Sequence, residues 1–454
     1  MRSVALIAGG LVSCVLVSGL SLACAGVAMD ADSLGPPSVF GVDAPELAAL
    51  GPFQVGVRTL TLVEAAQPDI LAMDPKTATV PKADRTLRVD VWYPAVAVNS
   101  PGAHRETYSG TLPSEPPAPP ATFTVQGIAI RDAHPAGQAY PLVVVSHGYS
   151  NATAAMTWLT ENLASKGYVV AAIRHDDPAL TDTSKFPQLL LRRPLDIAFV
   201  TRTLRAKLAD EHLIDPEKVA LVGYSMGGYG VLTSAGATLD PSGPMTKMVP
   251  AEQLLPYVRG APRSAEVTVP GLKAVVAISP AGGGVLSAWG AQGLQDLHTP
   301  LLLICGDQDR TVNYATGARL FFDAASNTTR YLLTFKGAGH AIGLNVAPAT
   351  MRSRLWDEDW FEDPVWRKER VSAINAHFIT AFLDLYVKGD ESREAYLDVR
   401  TPDSDGGVWP QAGGLPYGAY SPSDSKITVW KGFQRNHASG LQLLKATAKQ
   451  TPVR

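Results

Sequence analysis

Apolar residues in the middle of the chain follow two patterns, short continuous runs and the wider spacing of a helix face. Residues Pro141–Val145 form an apolar run typical of a central strand in a parallel sheet. Ile197, Val200 and Leu204 recur at helical spacing. They predict a helix over residues 193–208, so a strand and a helix follow each other within one stretch of chain.

The same two patterns recur over most of the chain. They predict strands over residues 54–63, 86–92, 141–145, 168–173, 219–222, 273–278, 301–305 and 330–335, helices over residues 154–166, 193–208, 315–325 and 367–386, and a further strand at Lys426–Trp430. Because strands alternate with helices, the expected fold class is α/β, a mostly parallel central sheet flanked by helices.

Four segments lack either pattern, apart from the predicted strand at Lys426–Trp430, and set the expected domain organisation. Residues 29–53 form an N-terminal loop segment, and the Pro-rich residues 95–139 form a surface excursion from the domain. Residues 238–270 carry six prolines and form a cap-like insertion. Residues 391–454 are rich in Gly, Pro and Ser and form a C-terminal extension. One domain over residues 54–390 remains.

The N-terminus has the composition of a targeting segment. Met1-Arg2-Ser3 precedes an apolar run that ends among small residues, which predicts a secretory signal peptide over residues 1–28 and a secreted, periplasmic or cell-envelope protein. Two alternatives stay open, a retained membrane anchor and lipid attachment at Cys24. Contact with a membrane is expected only through this segment.

Charge and cysteine content exclude several classes of protein. The net charge is −3 and no basic run is present, so we expect no nucleic-acid partner. The three cysteines form no disulfide framework and no zinc-binding spacing. Cys305 lies in an apolar strand and is expected to be an inert buried thiol.

The strand over residues 219–222 leads into Gly-Tyr-Ser-Met-Gly, which predicts a tight turn with Ser225 at its apex and a helix after it. Any Cβ at Gly223 or Gly227 would crowd the neighbouring backbone. The helix that follows would offer unpaired N–H groups, first that of Met226, to a developing oxyanion.

A serine hydroxyl needs an adjacent base and a group that orients the base. Two later strands end in loops that carry Asp307, Asp309 and His340, and the carboxyl ends of parallel strands converge at one edge of the sheet. The order serine, acid, histidine is the one expected of an α/β-hydrolase, with either aspartate as the acid.

With these motifs the chain resembles the α/β-hydrolases, and within them the dienelactone hydrolase-like and platelet-activating-factor acetylhydrolase-like esterases. The resemblance rests on Trp92-Tyr93-Pro94, Ser146-His147-Gly148-Tyr149, Gly167–Ala171 and the serine, acid and histidine loops. It covers residues 54–390. Dienelactone hydrolases proper carry a cysteine nucleophile, so the serine here points to carboxylic esters.

The resemblance implies a role for each site residue. Ser225 would be the nucleophile, His340 the general base and then acid, and Asp309 the residue that orients it. Asp309 is favoured because the family's acid stands three residues before an apolar residue. The oxyanion would bind the backbone N–H groups of Tyr149 and Met226, and no metal or organic cofactor is needed.

Other polar and aromatic residues have simpler explanations. His147 is expected to shape the oxyanion loop, and His175-Asp176-Asp177 to cap and line the rim of the site. The acidic residues 357–363 lack the spacing of a calcium loop and are expected to form a solvated surface. Tyr149 and Trp158 either line a pocket for the acyl group or simply pack against neighbouring side chains.

The resulting hypothesis is a serine esterase that acts through an acyl-enzyme on small or lipid-like esters, since the insertion at 238–270 would cover the site. A polyester or cutinase-like hydrolase and a serine peptidase or amidase on the same fold remain alternatives. A catalytically silent binding protein is the alternative outside the enzymes.

Overall fold

A single sheet of eleven strands forms the centre of the computed structural model, which describes residues 36–97, 104–180, 182–409, 426–434 and 436–448. The strands are β1 (Gln54–Pro68), β2 (Lys82–Ala95), β3 (Arg105–Leu112), β4 (Ala121–Arg131), β5 (Tyr140–Ser146), β6 (Val169–Arg174), β7 (Ile214–Tyr224), β8 (Ala274–Ile278), β9 (Leu301–Gly306), β10 (Arg330–Phe335) and β11 (Leu441–Ala446). Their order is β11-β10-β9-β8-β7-β5-β6-β2-β1-β4-β3. The predicted signal peptide, with Cys24, lies outside the described residues.

The middle of the sheet is parallel and its edges are mostly antiparallel. Strands β5 to β10 pair in parallel, with Val144 opposite Ala171 on one side and Leu221 on the other. All seven residues of β5 are buried, because helices cover both faces. This is the doubly covered α/β sheet that the sequence predicts.

Helices on opposite faces of the sheet bury two separate apolar clusters. The helices are α1 (Thr157–Ser165), α2 (Phe186–Asp210), α3 (Met226–Ser234), α4 (Pro244–Met248), α5 (Gly290–Gln295), α6 (Ala318–Ala324), α7 (Leu355–Glu358), α8 (Lys368–Leu383) and α9 (Glu394–Leu397). Residues of α2 and α3 pack in one cluster with Leu142 and Val144, and residues of α1 and α8 pack in the other with Val143 and Val145. No helix among the described residues is long and apolar enough to cross a membrane.

Helix α2 begins at Phe186, seven residues before the predicted start, and continues through Pro194. Proline has no N–H, so the Leu190 carbonyl four residues earlier loses its helical partner. The Tyr229 hydroxyl of α3 donates to that carbonyl at 2.8 Å. Gly230 permits this close approach, since a Cβ there would lie 2.4 Å from Cδ1 of Ile197.

The Pro-rich excursion contains two strands that the sequence analysis missed. Strands β3 and β4 pair antiparallel, and β4 adds to β1 at residues 130–131, so this segment extends the sheet. Alternate residues of β4 are buried, among them Phe123, Val125 and Ala129. This period-two pattern was present in the sequence but stood next to the prolines at 113–120.

The structure places the end of the segment 238–270 beside two helices, and the expectation that the segment forms a cap stays a prediction. The segment forms α4 and three short 3₁₀ turns, and Val269 donates its N–H to the carbonyl of Ser234 at 2.8 Å. Ser234 ends α3, about 12 Å along the helix from its first residue. Arg202 of α2 bonds to the carbonyls of Glu266 and Thr268. The end of the segment therefore packs beside α2 and the far end of α3.

The C-terminal extension adds the last strand, although not where it was predicted. Residues Lys426–Trp430 form no strand in the structure described here, and Trp430 is instead buried against Phe378. Strand β11 pairs antiparallel with β10, from Arg330 opposite Ala446 to Phe335 opposite Leu441. The extension thus completes the edge of the sheet next to the His340 loop.

Candidate active site

A strained turn between β7 and α3 presents Ser225 at the edge of the sheet. Ser225 has φ 53° and ψ −116°, a conformation that side chains rarely adopt. A Cβ on Gly223 would lie 2.3 Å from the Gly227 carbonyl oxygen, and one on Gly227 would lie 2.0 Å from the Ser146 carbonyl oxygen. Both glycines are therefore required for packing, as the sequence indicated.

Ser225, His340 and Asp309 form a continuous chain of hydrogen bonds. His340 Nε2 lies 3.0 Å from Ser225 Oγ, and its Nδ1 lies 2.7 Å from Asp309 Oδ2. Asp309 Oδ1 also accepts the N–H groups of Thr311 and Val312 at 3.0 and 3.1 Å. Burial would raise the pKa of Asp309, but these hydrogen bonds and the charge interaction with His340 hold the pKa below its ordinary value.

Asp307 has a different contact. Its carboxylate accepts the Gly337 N–H at 2.7 Å and so ties the β9 loop to the turn before His340. Of the two aspartates, Asp309 is the one that contacts the histidine.

Side chains from several elements hold the backbone of the His340 loop. Asp363 accepts the Gly339 N–H at 2.7 Å, Tyr224 donates to the His340 carbonyl at 3.2 Å, Lys368 donates to the Ala341 carbonyl, Asn375 donates to the Ile342 carbonyl at 2.8 Å, and Trp158 donates to the Gly343 carbonyl at 2.9 Å. Trp158 is fully buried and packs rather than lining an open pocket. Sequence reasoning missed these partners because most lie far from residue 340 along the chain.

The acidic segment 357–363 is not the solvated surface that the sequence suggested. Asp357 is buried and accepts the Ser114 hydroxyl at 2.6 Å. Asp363 accepts the N–H groups of Val365 and Trp366 in addition to that of Gly339. Across the described residues, no three His, Cys, Asp or Glu side chains are grouped in a way that suits a metal ion.

The two amides named as oxyanion donors flank the serine. Met226 is the first residue of α3, so its N–H has no partner within the helix. Gly148 lies against the serine, since a Cβ on Gly148 would be 3.3 Å from Ser225 Cβ. No acceptor within the described residues takes the N–H of Tyr149 or of Met226. Both donors remain available for a ligand.

A buried polar network supports the loop that carries Tyr149. Ser146 Oγ bonds to His175 Nε2 at 2.8 Å, and His175 Nδ1 bonds to Asp196 at 2.9 Å. Arg85 pairs with Asp196 at 2.8 Å. Ser146, His175 and Asp196 repeat the residue types serine, histidine and aspartate of the Ser225 site. Unlike Ser225 and His340, however, all three side chains are buried away from solvent. This network is structural, and His175 lies deeper than the rim position expected of it.

His147 does not contact Ser225. Its Nδ1 bonds to the Gly148 carbonyl at 2.7 Å, and its Nε2 accepts the His175 N–H at 3.4 Å. Because the Gly148 carbonyl oxygen can only accept a hydrogen bond, Nδ1 of His147 must be the ring nitrogen that carries the proton. Burial and nearby Arg193 lower the pKa of His147 to about 3, so the ring stays neutral near neutral pH.

The site is open to solvent. The His340 side chain is 21% exposed, and Ser225 is partly exposed. The Tyr149 ring is also partly exposed and packs against Phe186, with ring centroids 5.7 Å apart. An ester group could therefore reach the serine from the solvent side.

Known proteins share part of this chain. Residues 127–249 match a family model described as PET hydrolase-like. Cutinase est2 of Thermobifida alba is 25% identical over 44% of this chain and 53% of its own length, and cutinase 1 of Thermobifida cellulosilytica is 26% identical over 44% of this chain and 60% of its own. The chain thus spans little more than half the length of these relatives. A ferulic acid esterase from Streptomyces cinnamoneus superposes with a TM-score of 0.47 at 21% identity, covering 76% of this chain and 94% of that one.

A mostly parallel sheet with a serine turn, an acid loop and a histidine loop at the carboxyl ends of β7, β9 and β10 is the α/β-hydrolase architecture. The chain therefore has the α/β-hydrolase fold, and the part of it that matches the family model includes the serine turn. The relatives named above are cutinases, and the narrower resemblance to dienelactone hydrolases and acetylhydrolases stays a prediction.

Proposed function

We propose that this chain is a serine carboxylic-ester hydrolase with Ser225, His340 and Asp309 as its catalytic triad. The observation that carries the proposal is the unbroken hydrogen-bond chain from Ser225 Oγ through His340 to Asp309, at 3.0 and 2.7 Å. It lies beside the two unpaired amides of Tyr149 and Met226. The esterase names of the similar proteins support the same chemistry.

In the proposed mechanism, His340 Nε2 removes the Ser225 proton as Oγ attacks the ester carbonyl carbon. The carbonyl oxygen becomes an oxyanion and accepts the N–H groups of Tyr149 and Met226. When the tetrahedral intermediate collapses, the ester C–O bond breaks and His340 donates its proton to the leaving alcohol. Water then attacks the acyl-serine with the same assistance and releases the acid. Asp309 holds the His340 ring and stabilises its positive charge.

The open serine bears on the substrate class. A covered site would select small soluble esters or a single acyl chain, whereas Ser225 and His340 are partly exposed. From the partial exposure of Ser225 and His340 we favour esters whose acyl or alcohol part extends over the protein surface, including polyesters. The cutinase and PET hydrolase-like names of the similar proteins support this alternative.

Hydrolysis of p-nitrophenyl esters from acetate to palmitate, of an aliphatic polyester film and of a peptide anilide tests both parts of the proposal. We expect wild type to cleave the esters and the film, Ser225→Ala to cleave neither, and the anilide to remain intact. Cleavage of the anilide alone would favour the peptidase alternative. An inactive wild type that a fluorophosphonate fails to label at Ser225 would leave the silent binding protein as the better hypothesis.

We also propose export through the N-terminal segment, with the mature protein secreted or held in the cell envelope. Mass spectrometry of the exported protein checks this. A mature N-terminus near residue 29 supports signal cleavage, and an acylated Cys24 supports a lipoprotein. An uncleaved chain in the membrane fraction would indicate a retained anchor.

A further inference from the structure

Arg193 of α2 lies directly beneath the loop that presents Tyr149. Its side chain is 1% exposed. Nη1 donates to the His147 carbonyl at 2.5 Å, and Nη2 donates to the Gly148 carbonyl at 3.1 Å. The guanidinium also pairs with Asp177. One buried cation therefore contacts two successive carbonyls of the loop.

The second of these contacts fixes the direction of an oxyanion donor. The Gly148 carbonyl and the Tyr149 N–H belong to the same planar trans peptide, so they point in opposite directions. The carbonyl is held by Arg193 Nη2 and by His147 Nδ1, the latter at 2.7 Å. With its carbonyl turned toward the buried arginine, this peptide must direct the Tyr149 N–H away from it.

Asp177 fixes the other end of the same residue. Its Oδ2 accepts the Ser150 N–H at 3.0 Å while it pairs with Arg193. Burial would raise the pKa of Asp177, but the charge of Arg193 keeps it below its ordinary value. The peptide group before Tyr149 is thus bonded to Arg193, and the peptide group after it is bonded to Asp177. Arg193 and Asp177 themselves form one buried ion pair.

Arg193 also packs on the helix that carries the other donor. A Cβ on Gly230 of α3 would lie 3.3 Å from Cβ of Arg193, and α3 begins with Met226 directly after Ser225. The arginine therefore links the Tyr149 loop to the helix whose first N–H is the second donor.

We infer that Arg193, together with Asp177, is the positioning residue of the oxyanion hole, setting the Tyr149 N–H relative to the Met226 N–H. This inference rests on the proposed esterase function. Arg193 acts through the backbone and does not touch the substrate. Its removal should therefore weaken binding of the tetrahedral intermediate much more than binding of the ester.

Arg192 provides a matched control one position earlier on the same helix. It is also a buried arginine, but it donates to the Pro68 carbonyl, away from the serine. Lysine at either position keeps a charge but offers one ammonium in place of the planar fork. At position 193 an ammonium carries its three N–H donors on one atom, whereas the contacts of Arg193 are divided between Nη1 and Nη2, so we expect lysine to lose part of them.

The experiment compares Arg193→Lys with Arg192→Lys in ester hydrolysis, thermal unfolding and affinity for an alkyl boronic acid, which mimics the tetrahedral adduct. We expect kcat to fall about 10²-fold in Arg193→Lys with KM changed less than about threefold, as when an oxyanion donor is lost. Boronate affinity should fall in parallel. Arg192→Lys should change kcat less than about threefold.

Equal kcat values in the two variants, with wild type active, would overturn the inference and leave the proposed function intact. If Arg193→Lys does not fold, Asp177→Asn decides, because asparagine can still accept the Ser150 N–H but leaves Arg193 without its counter-ion. An unchanged kcat and boronate affinity in Asp177→Asn would then overturn it. An inactive, unlabelled wild type would overturn the inference together with the function.

Discussion

The Asp309 carboxylate lies 2.7 Å from Nδ1 of His340, whereas Asp307, only two residues earlier, turns to the Gly337 N–H. The two aspartates of this loop therefore have different roles, since Asp309 contacts the histidine and Asp307 holds the backbone of the neighbouring loop. Exchanging each for asparagine tests the two roles separately. We expect Asp309→Asn to lower kcat by about 10⁴-fold, because the amide would favour the wrong His340 tautomer. Steady-state kinetics on a p-nitrophenyl ester measures this.

Asp307→Asn is the control for that prediction. It should reduce kcat less than about tenfold and act mainly on thermal stability, since it weakens the bond that ties the β9 loop to the histidine loop. If Asp307→Asn had the larger effect on kcat, the assignment of the acid would have to be reversed.

The close contact of Gly227 with the Ser146 carbonyl predicts a large stability effect. A Cβ at position 227 would lie 2.0 Å from a backbone oxygen that cannot rotate away. We expect Gly227→Ala to lower the free energy of unfolding by about 3 kcal/mol or more. Gly137→Ala is the comparison, because a Cβ at exposed Gly137 meets nothing within 4 Å. Urea denaturation of both variants provides the measurement, and equal midpoints would contradict the packing argument.

Three buried histidines predict a loss of stability in acid. Burial lowers the pKa of His147 and His377 to about 3 and that of His175 to about 4. Between about pH 4 and about pH 6.5 the unfolded chain binds protons at these histidines that the folded chain does not, so stability falls as pH falls. Each histidine contributes up to about 1.4 kcal/mol per pH unit in that window.

His377→Asn tests the acid effect away from the active site. His377 Nδ1 accepts the Leu47 N–H at 3.1 Å, and the asparagine oxygen can take its place. We expect the variant to lose less stability than wild type between about pH 6.5 and about pH 4. Parallel slopes for wild type and His377→Asn would refute this explanation.

The last strand predicts a stability difference between neighbouring residues. Leu443 of β11 is 1% exposed and stands opposite Leu333 of β10, while Leu444 is only partly buried. We expect Leu443→Ala to lower the free energy of unfolding by about 2–5 kcal/mol and Leu444→Ala to lower it less. Chemical denaturation of the two variants measures the difference. A larger loss for Leu444→Ala would mean that β11 pairs in another register.

Much of the fold follows from local pattern. The strands that carry Ser225, Asp309 and His340 are continuous apolar runs, and their loops share one sheet edge because parallel strands must end there. The hairpin of β3 and β4 was missed because the prolines between the two strands indicate a loop. They obscured the alternation of apolar and polar residues along β4. Strand β11 was missed because Leu441–Ala446 is short and its pairing partner lies about a hundred residues earlier.

The supports of the site could not be predicted in the same way. Nothing near Arg193 in the sequence shows that its guanidinium reaches the carbonyls of His147 and Gly148, 46 and 45 residues away. Arginine on a helix is ordinarily solvated, and only the packing of α2 against α3 makes this one buried. Such contacts depend on tertiary structure and have no local signature.

Strand β11 follows the other described strands along the chain, and this order has a consequence for the newly made protein. Until residues 441–446 leave the ribosome, the edge of β10 lacks its antiparallel neighbour and presents unpaired backbone groups. A nascent or prematurely terminated chain would thus contain Ser225, Asp309 and His340 yet carry an open sheet edge directly before the histidine loop. During this interval the unpaired edge of β10 is a template for pairing with other unfinished chains, and pairing with β11 removes it.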